Sequence, residues 1–207
     1  GEEPATPGDA PFKDLQYFDE ADGGLFYGRE QISAQLADDV SRSRFLAVVG
    51  ASGSGKSSII RAGLVPALKH ASRAGMRWHI HIITPTAHPL EALATSLTRG
   101  SESVTATATL MDDLARDARS LHLYVRKIIG KGAERFLLIV DQFEELFTMS
   151  HNEAERHAFV ANLLYAVQAE GGATTALVAL RADFYSHLAQ YDTLRQAVAK
   201  HQEYIGP

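Results

Sequence analysis

The chain has 207 residues, 45% hydrophobic and 22% charged, with a formal net charge of −5 and a pI of about 6.0, which suits one soluble domain with a sizeable core. The acidic balance gives no electrostatic reason to expect nucleic acid or an anionic membrane as partner, and no apolar run approaches a membrane span. There is no cysteine, so disulfides and thiolate metal sites are excluded, which fits a reducing cytoplasm, and the acidic start Gly1-Glu2-Glu3-Pro4 has no signal-peptide core.

Residues 1–11 hold three prolines and two glycines and read as a flexible lead-in. With no initiator Met at its start, the chain is expected to be a piece of something longer. The aromatic stretch Phe12-Lys13-Asp14-Leu15-Gln16-Tyr17-Phe18 is expected to dock, so residues 1–28 are read as an arm packing on a domain formed by 29–207. Asp22-Gly23-Gly24 is expected to turn, and Ile32, Leu36 and Val40 then mark a helical stripe.

Phe45-Leu46-Ala47-Val48-Val49 reads as a buried strand. It runs into Gly50-Ala51-Ser52-Gly53-Ser54-Gly55-Lys56-Ser57, which fits G-x-x-x-x-G-K-[ST] without mismatch, and Ser58-Ile59-Ile60-Arg61-Ala62 can open a helix. Strand, glycine loop and helix form the context in which this pattern cradles phosphates. Glycines let the backbone aim its N–H groups at a phosphate chain, and the helix start at Ser58 adds partial positive charge. Lys56 supplies a mobile cation for the β- and γ-phosphates, and the Ser57 hydroxyl suits Mg²⁺. Ile59, Ile60, Leu64 and Leu68 continue at helical spacing, with Pro66 forcing a kink or restart.

Arg77-Trp78-His79-Ile80-His81-Ile82-Ile83 reads as a second strand. Its histidines alternate onto one face, better explained as a polar face near the sheet edge than as half a metal site. Pro89 to Leu97 reads as a helix and Arg99 to Ala108 as a loop. Thr109 with Asp112 resembles a capping box, opening one helix through Leu110, Leu114, Leu121, Val125 and Ile128. Arg135 to Val140 is a third strand, apolar on both faces as in a parallel sheet. Asn152 with Glu155 caps a helix that stops at Gly171-Gly172. Thr174 to Leu180 is a fourth strand, Asp183 is read as the cap of the next helix, and Tyr204-Ile205 is a short fifth strand. Strands alternate with helices, which argues for α/β architecture around a parallel sheet.

A parallel sheet offers its ligand site at the carboxyl ends of its strands. The third strand ends in Asp141-Gln142-Phe143-Glu144-Glu145. A strand-end acid is costly unless a cation meets it, and Mg²⁺ beside Ser57 would do so, as in other phosphate-loop sites. Glu144 and Glu145 are both placed to orient an attacking water, one of them serving instead as the acid that a helix start favours. The fourth strand ends in Arg181, suited to reading a γ-phosphate, the alternative being a salt bridge to Asp183 or Glu144. There is no G-x-S-x-G, no H-E-x-x-H and no N-K-x-D guanine reader, and Asp141-Gln142-Phe143-Glu144 lacks the glycine of a D-x-x-G switch. These absences argue against a GTPase, and a small-molecule phosphotransferase would need an acceptor pocket and a basic lid that the sequence does not show.

Phe12-Lys13-Asp14-Leu15, Leu25-Phe26-Tyr27-Gly28-Arg29-Glu30, the phosphate loop, Arg61-Ala62-Gly63-Leu64-Val65-Pro66-Ala67-Leu68, Val140-Asp141-Gln142-Phe143-Glu144-Glu145-Leu146-Phe147-Thr148 and Leu180-Arg181-Ala182-Asp183-Phe184-Tyr185 together resemble the novel STAND NTPases of bacteria, from Pro11 onward. The resemblance implies a three-layer P-loop NTPase core, AAA+-like, with strand order 5-1-4-3-2. It implies ATP as ligand, Tyr27, Gly28 and Arg29 near the adenine, Asp141 as the Mg²⁺ acid, a following Glu as catalytic and Arg181 as sensor. It further implies a cytoplasmic signalling switch, with effector and sensor domains on the same longer chain, a helical lid and winged helix beyond residue 207, and ATP-dependent homo-oligomers of the whole protein. A nucleotide-locked scaffold with negligible turnover is the alternative.

Overall fold

The computed structural model describes residues 20–72, 75–130 and 132–206, with side chains from residue 28 onward. The expected docking of Phe12 to Phe18 lies outside the described residues. Nine α-helices are described: α1 (Glu20–Arg42), α2 (Lys56–Ser58), α3 (Val65–Ala71), α4 (Pro89–Leu97), α5 (Ala106–Arg116), α6 (Ser120–Ile128), α7 (Glu145–Thr148), α8 (Glu153–Gln168) and α9 (Asp192–Lys200). The strands are β1 (Phe45–Gly50), β2 (Arg77–Ile83), β3 (Glu134–Val140), β4 (Thr174–Arg181) and β5 (Gln202–Ile205). All pair in parallel in the order β2-β3-β4-β1-β5, the expected order read from the other edge.

The period of two in each central strand divides its side chains between two apolar layers. Phe45, Ala47, Val49, Phe136, Leu138, Val140, Ala176, Val178 and Leu180 face α4, α5, α6, α8 and α9. Leu46, Val48, Leu137, Ile139, Leu177 and Ala179 face α1 and the helix after the phosphate loop. Both faces of the sheet are thereby covered, which is why the third strand, from Phe136 to Val140, reads as apolar on both faces. Edge strand β2 is more polar. His79 Nε2 lies 2.8 Å from Glu134 Oε2, and His81 Nδ1 lies 3.0 Å from Ser96 Oγ with its ring stacked on Phe136. Among the described residues, no helix is long and apolar enough to cross a membrane.

Four local expectations are corrected. Asp22-Gly23-Gly24 does not turn but lies inside α1; a helical glycine costs about 1 kcal/mol, which does not forbid the helix. The single helix expected from Leu110 to Ile128 is two. The chain becomes extended at Asp117, whose carboxylate accepts from Arg119 N and from the Arg119 guanidinium, and Ser120 Oγ donates to Asp113 O. Thr109 and Asp112 are therefore not a cap: α5 begins at Ala106, three residues earlier. Asp183 lies within a 3₁₀ segment, Ala182–Gln190, and its carboxylate pairs with Arg181 instead of capping a helix.

Pro66 acts where expected. It has no N–H to give, and the helix absorbs this upstream as a π turn, Ile59–Leu64, in which Val65 N donates to Ile60 O before α3 resumes. Gly63 lies in that turn because α1 crosses directly over it. A Cβ there would stand 1.9 Å from Ser33 Oγ, so the phosphate-loop helix and α1 meet at backbone distance.

Arg44 ties the two ends of the α8–β4 connection to the start of β1. Its guanidinium donates to Ala169 O (2.6 Å), Ala166 O (2.7 Å) and Thr174 O (3.2 Å). These include carbonyls at the end of α8 with no helical partner. Arg44→Ala is expected to lower the stability by about 1–3 kcal/mol, the range for charge-assisted hydrogen bonds lost at a partly wet site. Urea denaturation would show this as a lower midpoint at unchanged slope.

Candidate functional site

Three strand ends converge on the site. β1 and β4 are neighbours with Gly50 in register with Arg181, and β3 lies on the far side of β4. The loop from Gly50 to Gly55, the chain after β3 and the end of β4 therefore meet around an open cleft of about 600 Å³. Ser52, Gly53, Gly55, Lys56, Ser57 and Ser58 form one wall, Asp141, Gln142, Glu144 and Glu145 another, and Arg181 with Phe184 the rim.

Gly53 and Gly55 hold φ of 74° and 88°, the left-handed region that side chains disfavour. Their turns bring the chain round so that α2 starts at Lys56. Lys56 Nζ folds back over the loop, donating to Gly50 O (3.0 Å), Ala51 O (2.8 Å) and Ser54 Oγ (3.4 Å). Burial pushes its ammonium below the ordinary lysine range, and Glu144 opposes this more than any other group.

Ser57 Oγ donates to Asp141 Oδ1 at 2.9 Å, joining the two halves of the predicted metal set across 84 residues of sequence. Asp141 is 5% exposed. Its N–H donates to Ile83 O, and Oδ1 also accepts from Gln142 N at 3.0 Å. Gln142 takes φ of 50° to make this turn, after which buried Phe143 donates to Ala179 O and buried Leu146 anchors α7. A hydroxyl beside a carboxylate is a hard oxygen donor pair of the kind Mg²⁺ prefers, so these residues fit the ion.

Glu144 and Glu145 both line the cleft but differ in setting. Glu144 Oε2 accepts from Arg181 N at 3.4 Å, and Glu144 is the leading carboxylate acting on Lys56. Glu145 opens α7, the place where an acid is favoured by the helix dipole. The Arg181 guanidinium is held by Asp183, Nε to Oδ1 at 3.1 Å and Nη2 to Oδ2 at 2.7 Å, and lies over the Phe184 ring. This bond keeps the Asp183 carboxyl below its usual range and raises Arg181.

A second groove, of about 450 Å³, runs between α1 and the phosphate-loop helix. Ala34, Ile59, Ala62 and Ala67 give it apolar walls, and Ser58 lines both it and the cleft. Arg29 sits where the two meet, its Nη2 3.6 Å from the place a Cβ on Gly55 would occupy. The side chain of Tyr27 lies outside the described residues. Sequence reasoning missed Arg61, whose Nη2 lies 3.5 Å from Asp141 Oδ2. The available signal was its spacing: four residues after Ser57, it shares that residue's helix face.

The family described as Novel STAND NTPase 1 matches residues 11–207. No curated protein matches. The ORC2 protein of Aeropyrum pernix, solved as ADPNP-ADP complexes, has a TM-score of 0.60 at 15% identity, over 86% of this chain and 47% of that one. The Walker-type ATPase PABY2304 of Pyrococcus abyssi has a TM-score of 0.53 at 14% identity, over 86% and 53%. The chain thus spans about half the length of these solved structures, and at such identities the likeness is one of fold.

Proposed function

The chain belongs to the Novel STAND NTPase 1 family, and from that premise we propose that it binds ATP with Mg²⁺ and hydrolyses it as the core of a signalling switch. The observation that carries this reading is the bond from Ser57 Oγ to Asp141 Oδ1, beside Lys56 and Glu144. It pairs a phosphate loop with the acid that follows a central strand.

In this reading the loop N–H groups and the Lys56 ammonium bind the phosphate chain. Ser57 and Asp141 would hold Mg²⁺, which when bound neutralises phosphate charge. Glu144 accepts the proton of the attacking water. Arg181 reads the γ-phosphate, exchanging Asp183 for it. The groove beside Arg29 takes the base, since it joins the phosphate cleft at Ser58. Sensor and effector domains on the same cytoplasmic chain, and ATP-dependent self-association, complete the switch. The deciding experiment is steady-state phosphate release with ATP, in Mg²⁺ and in EDTA. Turnover in Mg²⁺ alone supports the reading.

One observation favours a nucleotide-locked scaffold instead: Asp183 holds Arg181 through two bonds. Tight ATP binding without phosphate release would select it.

Base choice is separately testable. The apolar walls of the groove suit a planar ring, and the chain has no N-K-x-D reader for guanine. GTP is expected to displace labelled ATP at least about tenfold less well than ATP does, a difference of roughly 1.4 kcal/mol. Equal displacement would reassign the base.

A further inference from the structure

Asp141 carries a second bond that the phosphate-loop chemistry does not require. Oδ1 is taken by Ser57 Oγ and Gln142 N, while Oδ2 faces Arg61 Nη2 at 3.5 Å. The two partners stand in unequal surroundings: the Asp141 side chain is 7% exposed and that of Arg61 53%. A carboxylate this dry needs a cation close by. Lys56 is turned towards Gly50 O and Ala51 O, and it responds to Glu144 more than to Asp141. Arg61 is the side chain that forms a salt bridge with Asp141 among the described residues.

A divalent cation seated by Ser57 and Asp141 would address the carboxylate that Arg61 addresses. Two positive charges competing for one acid repel each other at this range. Arg61 is free to yield, because its half-exposed guanidinium can swing into water at small cost. Its place in the sequence makes the competition local. It stands in the π turn Ile59–Leu64, one helical turn beyond Ser57, so it shares the face that meets Asp141.

We propose that Arg61 is a displaceable counter-ion of Asp141 that sets the Mg²⁺ concentration at which the site grips nucleotide. This rests on the assignment of Ser57 and Asp141 as the Mg²⁺ pair. With the ion absent, Arg61 neutralises the buried acid and stabilises the site. With the ion present, Arg61 must be displaced, and that cost raises the Mg²⁺ requirement.

The test is calorimetric titration of ATP across a Mg²⁺ series, for the parent, Arg61→Ala, Arg61→Gln and Arg61→Lys. Arg61→Ala and Arg61→Gln are expected to lower the Mg²⁺ midpoint for ATP binding by about three- to tenfold, the range of a partly exposed ion pair to a buried acid. Affinity in EDTA should stay within about twofold. Arg61→Lys keeps the charge and should stay near the parent midpoint. Without nucleotide or metal, Arg61→Ala should melt lower than the parent, and millimolar Mg²⁺ should recover more of its melting temperature than it does for the parent. On an Asp141→Asn background the Arg61→Ala shift should vanish, since both act through one carboxylate. An unchanged or raised midpoint in both neutral variants overturns the inference, as does a shift that persists with Asp141→Asn. If ATP binding by the parent ignores Mg²⁺, the metal assignment itself fails and the inference with it. If the parent depends on Mg²⁺ and the variants match it, only the inference fails.

Discussion

Lys56→Ala is expected to abolish measurable ATP binding while leaving the fold in place. Lys56 gives its ammonium to Gly50 O, Ala51 O and Ser54 Oγ, all within the loop. Nucleotide phosphates would offer stronger acceptors in the same reach. A hydrogen bond to a charged partner contributes about 1.5–3 kcal/mol, so losing two weakens binding by roughly 10²–10⁴-fold. The fold should survive because the side chain is only half-buried and its hydrogen bonds stay within the loop, while Ile59 and Ile60 just beyond it stay anchored in the core. Calorimetry with Mg²⁺, beside thermal melts of both proteins, makes the measurement. Equal affinity in variant and parent would remove Lys56 from the phosphate site, and with it the reading of the loop as a cradle.

The parts of this fold that could be read from the sequence are those whose cause is local. The bounds of β2 and α4 follow directly from a short strand run with alternating histidines and from Pro89, which starts a helix as readily as it breaks one. The phosphate loop declared itself because its glycines, lysine and serine have fixed spacing. Asn152 was legible for the same reason: its side chain accepts from Glu155 N three residues on. Even there the reciprocal half was not, because Glu155 Oε1 accepts from Leu90 N on α4, 65 residues away.

What the sequence concealed depends on encounters at long range or on competing local bonds. Asp117 carries no proline or glycine signal, yet its carboxylate binds Arg119 N well enough to end α5 and let α6 restart. The apolar positions Leu110, Leu114, Leu121 and Val125 are buried either way, so their periodicity could not reveal the break. Arg61 meets Asp141 across 80 residues, and only the parallel order of β1, β4 and β3 brings them together. Arg181 lies between the two cases. Its acid is two residues away and visible, but whether Asp183 or a phosphate holds the guanidinium is a matter of competing affinities that no pattern encodes.

Glu144→Gln is expected to stop hydrolysis and spare binding. The substitution keeps the side-chain length and an oxygen to accept from Arg181 N, so the rim of the cleft should hold its shape. It removes the group that could accept a proton from water, a contribution of about 10²–10⁴-fold to the rate. ATP affinity should change by no more than about threefold, because the acid is not a phosphate donor and its removal relieves some repulsion. Glu145→Gln should do little to turnover. Its acid lies in the first turn of α7, where the helix dipole favours it by about 0.3–1 kcal/mol, so the expected loss is a small drop in melting temperature. Single-turnover phosphate release on preformed enzyme–ATP complexes separates the two effects, since it reads chemistry without binding. If Glu145→Gln stops release and Glu144→Gln does not, the water is activated from α7 itself. Glu144 would then be the acid that accepts from Arg181 N at the end of β4 and acts on Lys56 only through space.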